Sequence, residues 1–169
     1  AAIPSTFFWP PLPGMDKSIA TRDKIGCVLP NVADRDFCLV DRVVRMKLLF
    51  QEPRPLLTPR VFLPSTCKDT PIPESIAPFV RFFGPGSQTA SFKELAFYVP
   101  APRLTDYRSG VIPPDLLNAV GYGIRPLCIH HKVLAPLEDT FKMYKSLDEF
   151  DAAVESALAM GNSTALPAL

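Results

Sequence analysis

Apolar and polar positions recur with a helical period over residues 34–52 (DRDFCLVDRVVRMKLLFQE), a run without Pro or Gly. Phe37, Val40, Val44 and Leu48 fall at spacings of three and four. Leu39, Val43, Met46 and Phe50 widen that stripe, and Asp34, Asp41, Arg45 and Glu52 line the opposite side. The pattern predicts an amphipathic helix whose apolar face must be covered. Asp34 is placed to cap its first turn, Asp36 suits the positive end of its dipole, and Pro53 stops it. A second amphipathic helix is predicted from the capping box of Ser146 and Glu149, through Leu147, Phe150, Val154, Ala157 and Leu158, to Gly161.

Weaker patterns fill the middle of the chain. Ser91 with Glu94 forms a capping-box pattern that predicts a short helix over 92–99, ended by Pro100. Another should start at Pro114, with Asp115 in its first turn, run to Val120 and close at Gly121 and Gly123. Strand-like composition marks 25–30 (IGCVLP), 124–133 (IRPLCIHHKV) and 140–144, while 61–63 and 79–83 are apolar anchors. Gly84-Pro85-Gly86 is a turn.

Proline alters this picture. Of 20 prolines, ten fall between Pro53 and Pro102. Each fixes φ and removes a hydrogen-bond donor, so this region is expected to wrap as coil rather than form a central sheet. Residues 1–15 place Phe7, Phe8 and Trp9 directly before Pro10, Pro11 and Pro13. They are read as an extended arm whose aromatics bury in a groove of this chain or of a partner. The Pro10-x-x-Pro13 spacing lacks the flanking Arg of an SH3 ligand. The expected fold is therefore a small single α+β or mostly α domain over 34–161, with two principal amphipathic helices and extensive Pro-rich coil over 53–102. An arm and bridge (1–33) precede it, and a tail (162–169) follows.

The chain's 169 residues suffice for one core. A net charge of +1 argues against a main task of neutralising a phosphate backbone. Charge is nonetheless uneven: residues 53–136 carry nine Lys/Arg against five Asp/Glu, and 137–169 carry two against six. That asymmetry bears on docking rather than fold. No run approaches the roughly 18 apolar residues of a membrane span.

Cys27, Cys38, Cys67 and Cys128 form no C-x-x-C pair. A secreted chain could cross-link them, and Asn162-Ser163-Thr164 would then be a glycosylation acceptor. The simpler reading is free, buried thiols and a helix stop at Gly161-Asn162. Cys128-Ile129-His130-His131 is a cluster of metal-ligating residue types, and a strand would point Cys128 and His130 to one face. A tetrahedral site would need further ligands from Cys27, Cys38 or Cys67. The competing reading is a buried Cys beside a half-exposed His pair. Cys38, near the start of the first helix, is the thiol a helix dipole could activate as a nucleophile, with His130 or His131 as base. No G-x-S-x-G, Walker A, G-x-G-x-x-G, H-E-x-x-H or EF-hand pattern occurs. Asp148, Glu149 and Asp151 are accounted for by the last helix's dipole, and Arg42, Arg45 and Lys47 by a salt-bridged face.

These observations lead to an expected non-catalytic accessory subunit of a mitochondrial respiratory or ATP-synthase type complex. The N-terminus beginning at Ala1 is read as trimmed, and the chain as peripheral to the inner membrane or in the matrix. Expected partners are other protein subunits, met through Phe7, Phe8, Trp9, Pro10, Pro11, Pro13, Phe62, Phe79, Phe82 and Phe83. No cofactor, nucleic acid or small-molecule substrate is expected. The alternatives are a small enzyme or metal-binding domain using His130, His131 and a Cys, an organellar ribosome accessory protein, and a secreted disulfide-linked domain.

Overall fold

Five short strands assemble into one parallel sheet. The computed structural model describes residues 22–49 and 57–161. The predicted arm residues Phe7, Phe8, Trp9, Pro10, Pro11 and Pro13, the end of the first helical pattern at Phe50, and the tail lie outside the described residues.

The strands are β1 (Lys24–Val28), β2 (Thr58–Pro64), β3 (Val80–Phe83), β4 (Leu95–Tyr98) and β5 (Arg125–Pro126), all parallel, in the order β3-β2-β1-β4-β5. In β1 and β4 the residues Ile25, Cys27, Val28 and 95–98 have no measurable exposure, the continuous burial expected of central parallel strands. The β1–β2 pair depends on Gly26, because a Cβ there would stand 1.7 Å from the Arg60 carbonyl oxygen.

Helix α1 (Cys38–Leu49) packs on β2 and against α5 (Leu147–Met160), and Arg42 forks onto Asp151 at 2.9 and 2.5 Å across that contact. Helix α2 (Gln88–Phe92) packs on β1, with Phe92 against Tyr98 at 5.9 Å. Helix α3 (Leu104–Arg108) follows β4, and α4 (Pro114–Gly121) packs on β5. Tyr122, just past α4, packs its ring tilted against Phe92 at 5.3 Å and donates its hydroxyl to Thr89 of α2. No helix among the described residues is long and apolar enough to cross a membrane.

The small single domain of mixed α and β is as expected; the sheet is not. The Pro-rich middle does not merely wrap. It supplies β2, β3 and β4. Its prolines sit at strand ends or between strands: Pro59 and Pro64 are the second and last residues of β2, Pro71, Pro73 and Pro78 lie in the connection to β3, and Pro100 and Pro102 lie beyond β4. Residues 24–28, grouped above with the arm, form the middle strand. The helix expected over 92–99 divides into α2 and β4, and Ser91 donates back to the Ser87 carbonyl instead of capping a new helix. The strand expected over 124–133 is reduced to β5 and an isolated bridge between Ile129 and Tyr144, which is also all that forms of the one expected over 140–144. The buried face of α1 is narrower than its pattern. Val40, Val43 and Val44 are buried, but Leu48 and Leu49 are 67% and 78% exposed.

Candidate functional site

Between β1 and β4 the chain changes direction across the sheet, and open parallel sheets take their ligands in the crevice beyond the strand ends at such a point. Here two loops meet over it, 29–37 after β1 and 99–103 after β4. They are joined by backbone hydrogen bonds, from Asp36 N–H to Pro102 O at 2.9 Å and from Leu104 N–H to Asp34 O at 3.0 Å. Asp34 adopts φ 60°, a left-handed conformation that Asp tolerates, and its carboxylate accepts from Thr105 N–H at 2.9 Å. That bond holds the Asp34 carboxyl below its ordinary pKa. The residue thus caps α3, not α1 as its spacing suggested.

Arg35 turns inward into the crevice. Its Nε donates to Asn31 O and its Nη1 to Ala101 O, both at 3.1 Å, and Nη1 lies 3.9 Å from Asp115 on α4. Both charged side chains are only 4% exposed. Beneath them Tyr98 Oη accepts from Val28 N–H at 3.3 Å, lies 3.1 Å from Val28 O and meets the Asp115 carboxyl. Burial raises the Asp115 pKa against the opposing pull of the Tyr98 hydroxyl and Arg35, and burial also raises that of Tyr98. The one Tyr98 hydroxyl proton has two acceptors in reach, the Asp115 carboxylate and Val28 O, so a proton on Asp115 would let the acid donate to Tyr98 Oη and leave the hydroxyl for Val28 O. Asp36 completes the closure by accepting from Cys38 N–H at 2.9 Å, so a carboxylate already holds the first turn of α1.

Beside the closed crevice is a pocket of about 190 Å³ lined by Asp36, Cys38, Tyr107, Cys128, His130 and His131 among others. The fold therefore brings together the residues singled out for metal or nucleophilic chemistry, but each has other commitments. The His131 ring stacks on Tyr107 at 4.2 Å, and its Nδ1 accepts from Val133 N–H at 3.1 Å. His130 Nε2 lies 2.6 Å from the Glu138 carboxylate. Cys128 is 1% exposed, and burial pushes its thiol up to about 12, away from the thiolate a ligand or nucleophile needs. Cys38 is exposed, whereas Cys27 and Cys67 are buried. Among the described residues no group of three or more His, Cys, Asp or Glu is arranged to hold a metal ion.

Of the expected contact residues, Phe62 is 5% exposed and belongs to the core, Phe79 and Phe83 are half-buried, and Phe82 is 39% exposed. Arg35, Tyr98 and Asp115 escaped the sequence reading. Arg35 is flanked by two acids with no local pattern of its own, and Asp115 was accounted for by the first turn of a helix. Only the tertiary pairing distinguishes them.

The fold and this crevice define a parallel α/β domain of the doubly wound order, with its switch point filled by its own side chains. No protein-family model, curated protein or solved structure matches the chain.

Proposed function

We propose that this chain is a non-catalytic accessory subunit of a larger protein assembly, a mitochondrial complex of the respiratory or ATP-synthase type, peripheral to the inner membrane or in the matrix. The observation that carries this reading is the buried Arg35–Asp115–Tyr98 cluster, which occupies the place where a parallel α/β sheet would otherwise take a ligand. A carboxylate at the first turn of α1 disfavours a phosphate there as well. With that place filled, the domain is suited to present surfaces to neighbouring subunits. The Pro-rich arm with Phe7, Phe8, Trp9, Pro10, Pro11 and Pro13, together with Phe82 and Phe83, supplies apolar contact area for them.

The test is native size at endogenous abundance. Extracted gently from mitochondria, the chain should migrate wholly within a complex far larger than its own 18.6 kDa. A free monomer, or residence outside mitochondria, overturns the reading.

A second reading is a small ligand-binding or enzymatic domain, favoured by the pocket that gathers Cys38, Cys128, His130 and His131. Stoichiometric metal in the purified chain, or one thiol alkylated far faster than a free cysteine, would favour it over the first.

A further inference from the structure

β3 is an edge strand. Among the described residues no strand pairs with its outer side, so its outward backbone groups offer a template for another strand. The connection from β2 to β3 contains only two single 3-10 turns, Ser65–Cys67 and Ala77–Phe79.

The register sets a second feature beside that edge. Phe62 pairs with Arg81, and alternation along each strand puts Arg60 and Phe83 on the same face. These four line a groove of about 490 Å³ with Lys24 and Glu94. Among the described residues neither Arg60 nor Arg81 is paired with a carboxylate. Arg60 donates to Pro59 O at 3.0 Å, and Arg81 to Val80 O at 2.8 Å. Glu94 and Asp23 are the acids near Arg60, and Asp23 is held by Lys24 at 2.8 Å. Burial lowers the Arg60 pKa, and the charge of Arg81 lowers it further.

A single exposed Arg on an edge strand is a common guard against unwanted pairing. The half-buried Arg60 on the inner neighbour is not needed for that purpose, and with Arg81 it leaves two guanidinium groups to one lining carboxylate, Glu94, in this groove. Phe62 is too buried to stack a nucleobase, which disfavours single-stranded nucleic acid.

We propose that the edge of β3 and the adjoining Arg60–Arg81 groove form a docking site for an extended acidic segment of a partner protein. The segment adds as a sixth strand and places carboxylates on the two guanidinium groups. The proposal rests on the accessory-subunit reading for its setting, and its test does not use the assembly.

The test is fluorescence anisotropy of the full-length chain with a labelled, capped octapeptide of alternating Glu and Val. The expected result is saturable binding that weakens with salt and falls about tenfold or more in R81Q and again in R60Q/R81Q. Retained unfolding midpoints would show that the variants are folded. N-methylation of alternate peptide amides should abolish binding, because it removes the strand's donors. Equal binding of a Lys/Val octapeptide, full retention on N-methylation, or tighter binding of a labelled oligouridylate would each overturn the proposal. So would no binding to the full-length chain, including the case in which another part of this chain already fills the groove.

Discussion

At the scale of single residues, the buried Asp115–Tyr98–Arg35 cluster makes the sharpest predictions. Because burial raises the Asp115 pKa, the folded chain holds that proton at pH values where the unfolded chain has released it. Its contribution to stability is complete below the ordinary carboxylate value of 3.8 and is lost as pH rises through the folded value. Asp115→Asn mimics the neutral acid, so denaturant unfolding at a series of pH values should show the variant gaining on the parent as pH rises from 4. A gap that stays constant or closes the other way would mean that Arg35 keeps the carboxylate ionised. Tyr98→Phe leaves Val28 N–H and the Asp115 carboxyl without their shared partner and should cost about 1–3 kcal/mol, measured by the same unfolding. Asp34 makes a conformational prediction: Asp34→Ala loses both the α3 cap and tolerance of φ 60°, whereas Asp34→Gly loses only the cap. The Ala variant should therefore have the lower melting midpoint of the two.

At the scale of elements, what could be read from the chain followed how local its cause was. The cap of α5 is local, with Ser146 Oγ accepting from Glu149 N–H at 3.2 Å as its spacing implied, and α4 begins at Pro114 as predicted. The anchors at 61–63 and 79–83 were visible as apolar segments, but their strand character was not. A short continuous apolar run does not distinguish a buried strand from a helix segment, and at Leu95–Tyr98 a capping-box pattern tipped the reading the wrong way. Proline density misled for a related reason: its position relative to ladder ends matters more than its frequency. The same long-range control sets the β1–β2 contact. Gly26→Ala forces a methyl onto the Arg60 carbonyl and should cost about 3 kcal/mol or more, seen as a lowered denaturant midpoint. A near-neutral Ala variant would show that the two strands can part without loss.

For the whole molecule, the thiols report which parts of the domain open together. Cys27, Cys67 and Cys128 are buried in the core and Cys38 is exposed, and all four are free. A thiol reagent should therefore modify Cys38 rapidly in the native chain and reach the other three only through unfolding, at rates that rise together with denaturant. Arg35 provides the contrast. It bonds to both crossing loops, so Arg35→Ala should raise amide exchange in 29–37 and 99–104 together, while the rest of β1 and β4 stays protected. If only the first loop loosens, the backbone bonds between Asp34, Asp36, Pro102 and Leu104 close the crevice without the side chain. In that case the guanidinium fills space rather than joining the loops. An Arg35→Ala chain that gained affinity for a nucleotide or other small anion would reverse the functional argument as well. It would show a binding crevice plugged by one residue, where the accessory-subunit reading requires a domain sealed by its whole fold.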